Sequence, residues 1–221
     1  MKRVILSLLM IFGASIYMNN AANKEIEIKF TLSDTQFVQL KQWLEANAQY
    51  VREEKQEELY FNNPEPSQTF YFKSKHGYID ALKALRVRKT NKGDTVCYKY
   101  SNIDKNTGKI LYKNECETKV PDGKVFVEIF ENMGFTDKIQ VKKTRNIYTS
   151  GDFEIVIDNV EKLGTFVEVE LKREYADAQA GIAAINNFIK SMGITSYMQF
   201  NRSYIHMFTN PGYNFSELVL L

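Results

Sequence analysis

The chain has 221 residues, 44% of them hydrophobic and 13% aromatic, with 29 Lys and Arg against 27 Asp and Glu. That length suits one domain with an extension, and the balanced charge excludes a field of one sign for nucleic acid or an acidic partner. Two His and two Cys argue against a Cys/His zinc site, and no GxxxxGK[ST] or GxGxxG stretch supplies a Gly-rich phosphate cradle.

In chain order, Met1-Lys2-Arg3 is basic, Val4 to Met18 is mostly apolar and Ala21-Ala22 are small, so residues 1–22 read as a signal peptide or N-terminal anchor. The run is shorter than the roughly 20 residues of a comfortable membrane span. This predicts an exported protein, with membrane contact only if the segment stays uncleaved; the alternative is a cytoplasmic protein translated from Met18. Glu25 to Phe30 is the first strand. Ser33-Asp34-Thr35-Gln36 is a capping box that opens a helix to about Ala48, with Phe37, Leu40 and Leu44 inward. Glu57 to Asn62 is a strand, and Pro64 to Tyr78 is loop-like. Leu82 to Lys89 is a strand, and Thr95 to Ser101 with Lys109 to Thr118 form a hairpin. A helix from about Asp122 to Met133 turns Val125, Phe126, Ile129, Phe130 and Met133 inward and stops at Gly134. Ile139 to Thr149, Phe153 to Asp158 and Thr165 to Lys172 are strands. A third helix, capped by Asp177, turns Ile182, Ile185, Phe188, Ile189 and Met192 to one side and stops at Gly193. The count is about eight strands and three helices.

Alternate strand residues point to opposite faces. The faces opposite the apolar ones carry Glu25, Glu27 and Lys29; Arg86 and Arg88; Lys99; Glu115 and Glu117; Lys143 and Arg145; Glu154 and Asp158; and Glu168, Glu170 and Lys172. Each strand alone fits a half-buried strand with a wet face, and a plain structural β-protein would leave these faces to solvent. Together they are almost purely charged, in both signs. If the sheet closes, the charges line its inside, which inverts the usual small barrel. A charged lumen is costly unless its charges are paired, hydrated or bound to ions and ligand. Arg and Lys there suit phosphate oxygens, and the carboxylates suit Mg²⁺ or Mn²⁺.

At this point the chain resembles the CYTH superfamily of triphosphate tunnel metalloenzymes, which includes class IV adenylyl cyclases, thiamine triphosphatases and inorganic triphosphatases. The resemblance lies in Glu25-Ile-Glu-Ile-Lys29 as the ExExK strand, Leu85-Arg86-Val87-Arg88, Tyr98-Lys99-Tyr100, Glu115-Cys-Glu117, Val141-Lys142-Lys143-Thr144-Arg145, the run from Asp158 through Gly164 to Glu168-Val-Glu170, and Ser203-Tyr204. It implies an α+β fold, a closed antiparallel eight-stranded β-barrel with a charged interior flanked by about three helices. The domain would span residues 23–208, with 209–221 as a C-terminal tail that packs over the barrel or stays loose.

The resemblance further implies that Lys29, Arg86, Arg88, Lys99, Lys143 and Arg145 grip a small-molecule triphosphate. Of these, Lys29, Arg86, Arg88, Lys143 and Arg145 are the catalytic candidates. Glu25, Glu27, Glu168 and Glu170 would hold Mg²⁺ or Mn²⁺, with Asp158 and Glu115 or Glu117 assisting. The expected reaction is metal-dependent hydrolysis of an organic or inorganic triphosphate. Conversion of ATP to cyclic AMP and pyrophosphate is the alternative, and non-catalytic polyphosphate binding a third. The protein would be a monomer or homodimer that binds no nucleic acid. The stretch from Pro64 to Lys83 is longer than usual for this family, and its His76 reads as an exposed residue without a task. Cys97 shares the face of Lys99 whereas Cys116 faces the other way, so no disulfide joins them.

Overall fold

The computed structural model of the protein describes residues 23–61, 83–135, 138–175 and 177–221. The N-terminal segment 1–22 and most of the 64–83 connection, His76 included, lie outside the described residues.

Ten strands and four helices occur among them. In chain order they are β1 Asn23–Thr31, α1 Asp34–Asn47, β2 Gln49–Phe61, β3 Lys83–Thr90, β4 Gly93–Ile103, β5 Ile110–Val120, α2 Gly123–Asn132, β6 Lys138–Ser150, β7 Phe153–Val160, β8 Gly164–Leu171, α3 Ala178–Ser191, β9 Ser196–Phe200, α4 Tyr204–Thr209 and β10 Ser216–Leu220. All pairings are antiparallel, and the lateral order is β10-β9-β1-β5-β4-β3-β2-β6-β7-β8. Because β1 also pairs with β8 over Ile26–Phe30, the eight strands from β1 to β8 close into a barrel. The expected α+β barrel is therefore present, with β9 and β10 outside it and α4 as a helix beyond the three expected.

Alternation decides which side each residue faces. Ile28, Phe30, Ile155, Ile157, Val167, Val169 and Leu171 point outward and pack with Leu40 and Leu44 of α1 and Ile185 and Ile189 of α3. Burial of each such side chain contributes about 1.5–3 kcal/mol, so the main core lies outside the barrel wall. Ser33 caps α1 with the reciprocal Gln36 contact expected of a capping box. Gly181 lets α3 lie close on β1, since a Cβ there would stand 2.6 Å from Ile26 Cδ1.

A second apolar cluster, with Tyr60, Val141, Val160, Phe166, Tyr204, Ile205 and Met207, sits at one end of the barrel. There α4 packs against the barrel end. The tail continues from it, and β10 pairs with β9 from Ser216↔Phe200 to Leu220↔Ser196.

Two sequence expectations are corrected. β2 begins at Gln49 rather than Glu57, since its first half pairs with β6 from Gln49↔Thr149 onward, with one irregularity between Tyr50 and Arg52. On α2, Val125, Ile129 and Met133 are exposed, Met133 at 64%. The inward arc is carried instead by Phe126 and Phe130, whose rings meet each other and those of Phe61 and Phe135. The apolar arc of this helix is wider than its contact with the barrel.

Candidate active site in the barrel lumen

The inward faces enclose a cavity of about 320 Å³, within the usual range of small-molecule sites. Among the described residues its lining holds ten cationic and eight acidic side chains. Of the thirteen residues expected at the site, twelve line this cavity. The thirteenth, Asp158, lies beneath the lining at 0% exposure.

The charges fall into ordered groups. At the end closed by α4, Arg145 donates from Nε and Nη2 to the two oxygens of Asp158 at 2.7 and 2.6 Å. It also donates to Glu168 at 2.7 Å. Lys29 Nζ lies 3.0 Å from Glu168 and Lys143 Nζ 3.4 Å from Asp158. The Tyr204 hydroxyl donates toward Asp158 at 2.9 Å and Glu168 at 3.2 Å, and its ring lies 3.8 Å from Lys29 Nζ and 5.0 Å from Lys143 Nζ. Burial opposes ionisation of Asp158 and Glu168, but Arg145 with Lys143, and Lys29 with Arg145, hold their carboxyls below the ordinary range.

On the β3 side, Arg86 Nη2 lies 3.3 Å from both Glu115 and Glu117, and Lys99 Nζ lies 2.6 Å from Glu25 and 3.0 Å from Glu115. Burial raises the Glu25 carboxyl, which hydrogen-bonds to Glu115. Glu115 itself is drawn down to about 2, burial being outweighed by that bond and by Lys99 and Arg86. Cys97 Sγ donates to Glu115 at 2.9 Å, and burial pushes its thiol up to about 12. Both cysteines are free, Cys97 buried and Cys116 exposed, as the strand parity predicts.

The third group is unbalanced. Glu27 stands directly opposite Glu170 across β1 and β8, and Glu170 directly opposite Glu154 across β8 and β7. Like charges placed so are destabilising. Lys113 reaches Glu27, and Lys172 reaches Glu170 at 2.9 Å. Even so, burial and then the neighbouring Glu25 and Glu27 push the Glu170 carboxyl up to about 7, against the pull of Lys172. A row of three carboxylates, one of which holds a proton near neutrality, is a hard-oxygen donor set that suits a divalent cation. Unlike that row, the ligand atoms of Cys97, Glu115 and Glu117 lie within 4.8 Å of one another. That cluster fits a metal less well, because Arg86 already bridges the two glutamates.

Lys143 is held by the opposite balance. Burial and the neighbouring Arg145 bring its ammonium down to about 8, while Asp158 and Glu58 resist.

Sequence reading missed several members. Arg52, Glu54, Gln56 and Tyr60 of β2 line the cavity, as does Lys113, and Glu58 lies buried behind it; Glu154 and Tyr204, noted in the sequence without a role at the site, line it too. The β2 residues carried a usable signal: Phe61 faces out, so Tyr60, Glu58, Gln56, Glu54 and Arg52 must share the inner face. Lys113 has the parity of Glu115 and Glu117.

Comparison with known proteins agrees with this geometry. The CYTH domain model matches residues 23–204. A Methanocaldococcus jannaschii protein named "putative adenylate cyclase" is 27% identical over 184 residues, 83% of this chain and 97% of that protein. A solved Pyrococcus horikoshii structure, the PH1012 protein, is 29% identical, with a TM-score of 0.59 over 77% of this chain and 90% of that one. A Hippeastrum structure, described as a "putative adenylyl cyclase" with "a dominant" triphosphatase activity, shares the fold at 17% identity, with a TM-score of 0.56 over 84% and 94% of the two chains. The chain belongs to the CYTH family of triphosphate-tunnel enzymes.

Proposed function

We propose that the protein hydrolyses a triphosphate in its barrel lumen, with a divalent cation, Mg²⁺ or Mn²⁺, as cofactor. The observation that carries this reading is the charge balance. Ten cations in the lining face eight carboxylates there, and Glu58 and Asp158 lie buried just behind. The lumen is therefore close to neutral, and a polyanion entering it brings negative charge that the protein alone does not cancel. Cations accompanying the substrate restore the balance and relieve the row Glu27, Glu170 and Glu154.

Lys29, Arg86, Arg88, Lys99, Lys143 and Arg145 grip phosphate oxygens and stabilise charge that develops on them in the transition state. Glu25, Glu27, Glu168 and Glu170 are the carboxylates assigned to the metal. When bound, a divalent ion supplies charge neutralisation at the phosphate oxygens. Asp158, with both oxygens on Arg145, is assigned to holding that guanidinium rather than to ligation, and Glu115 and Glu117 to holding Arg86. Tyr204 keeps Lys29 and Lys143 over its ring and helps close that end of the lumen to water.

The archaeal relative named "putative adenylate cyclase" favours a second reading, in which the ribose 3′-hydroxyl of ATP attacks the α-phosphorus and pyrophosphate leaves. The same grip serves both reactions; they differ in which phosphorus meets the nucleophile. Capture of polyphosphate without turnover would need the cations but not the carboxylate row. For location, the basic and apolar start of the chain supports export, with cytoplasmic translation from Met18 as the alternative that N-terminal sequencing distinguishes.

The test is incubation of purified protein with Mg²⁺ or Mn²⁺ and tripolyphosphate, thiamine triphosphate or ATP, followed by resolution of the products. Orthophosphate release is expected. Cyclic AMP with pyrophosphate selects the second reading, and intact substrates with retained binding overturn both.

A further inference from the structure

Glu58 is a carboxylate that no expectation placed in the site. It lies toward the C-terminal end of β2 at 0% exposure, behind the cavity lining. Its Oε1 accepts from Arg88 Nε at 2.8 Å and lies 3.2 Å from Arg86 Nη1 and 3.6 Å from Lys143 Nζ. Its Oε2 accepts from the Tyr60 hydroxyl at 2.8 Å. One carboxylate thus joins cations from β3 and β6, the strands on either side of β2. Burial opposes its ionisation, but Lys143, Arg86 and Arg88 together hold it charged, well below the usual carboxylate range.

The other partners of those cations lie in opposite directions. Arg86 and Arg88 also reach Glu117 on β5, at 3.3 and 3.6 Å, while Lys143 also reaches Asp158 on β7 at 3.4 Å. Without Glu58 the cations still have counter-charges, but those draw the arginines toward β5 and the lysine toward β7. Their mutual repulsion acts the same way.

Resting on the reading of these cations as the phosphate grip, we infer that Glu58 is a positioning residue that makes Arg86, Arg88 and Lys143 converge on one phosphate group without touching the substrate. Its removal spreads the grip but raises the positive charge of the lumen, so alignment suffers more than binding.

The test is steady-state turnover of the best triphosphate by Glu58→Gln and Glu58→Asp, with arginine Nε–H NMR on the same proteins. Glu58→Gln is expected to lose about 10- to 100-fold in kcat, the scale of a misplacement near 1 Å, with KM within about threefold. Glu58→Asp, which keeps the charge, is expected to recover a large part of kcat. The Arg88 Nε–H signal, identified by its absence in Arg88→Lys, is expected to be protected from exchange in the wild type and broadened in Glu58→Gln. A kcat within twofold of wild type in Glu58→Gln, or an Arg88 signal that does not change, overturns the inference. Equal loss in both variants also overturns it, because that marks a structural role. If the wild type turns over no triphosphate, the functional reading fails by itself. The NMR then decides the positioning claim: tripolyphosphate should shift the Arg86 and Arg88 signals together in wild type and not in Glu58→Gln.

Discussion

Asp158→Asn tests the energetics of the closed end of the lumen. Asp158 is fully buried and takes both donors of Arg145 at 2.7 and 2.6 Å, with Lys143 at 3.4 Å and the Tyr204 hydroxyl at 2.9 Å. Removing one partner of a buried ion pair typically costs about 3–5 kcal/mol. Here Arg145 keeps Glu168 at 2.7 Å and Lys143 keeps Glu58 at 3.6 Å, and the amide still accepts one hydrogen bond, which brings the expected loss to about 2–3 kcal/mol. For a chain of this size that lowers Tm by about 4–12 °C, measured by calorimetry at pH 7. The sign with pH follows from the depressed carboxyl of Asp158. Its contribution is fully present above the unfolded value near 3.9 and is lost as pH falls through the lower folded value. The gap between wild type and variant should therefore narrow at acid pH. A Tm within about 2 °C of wild type at pH 7, or a gap that widens on acidification, refutes the reasoning.

Three further outcomes follow from the lumen. Glu27→Gln should retain the fold by circular dichroism and lose metal-dependent turnover by about 10²-fold or more, the scale of several kcal/mol of charge stabilisation; unchanged turnover removes Glu27 from the site. Because the Glu170 carboxyl sits at about 7, Mg²⁺ or Mn²⁺ binding near pH 6 should displace a proton. Calorimetry should then give heats that vary with the buffer's ionisation enthalpy in wild type but not in Glu170→Gln, and buffer-independent wild-type heats contradict this. Because the Lys143 ammonium sits at about 8, turnover should fall above that pH as its charge is lost. Lys143→Arg should carry the decline to higher pH, and an unmoved limb would assign it to another group.

The legibility of the lumen in the sequence was uneven, for physical reasons. In β1, β3 and β8 one face is apolar against the helices and the other charged, so parity alone picks out Glu27, Arg86 and Glu170. In β6 the outer residues Lys142, Thr144 and Asn146 are polar too, and the phase of Lys143 and Arg145 is less plain. From Glu53 to Glu58 of β2 both faces are polar, since Glu53, Lys55 and Glu57 point outward beside Glu54, Gln56 and Glu58 inward. With no apolar partner there, the strand's start is not visible, and the inward phase of Glu58 can be read only by counting back from Phe61 at the far end. The closed end was hidden for another reason. α4 spans only six residues and β10 five, too few for a periodic signal, and they are held by tertiary packing around Tyr204 and by pairing with β9. The face of α2 was misread because an apolar arc says which residues tolerate burial, not how much of the arc the barrel covers. Ion pairing such as Glu27 with Lys113 depends on β1 pairing with β5 only up to Glu25↔Lys113, a register that no local pattern specifies.

The most direct test of the central claim is phosphate release from the preferred triphosphate as Mg²⁺ or Mn²⁺ is titrated into metal-stripped protein. A lumen whose own charges nearly cancel predicts negligible release in chelator and saturable activation as the cation is added. Full release in chelator, or none at any cation concentration, would contradict it.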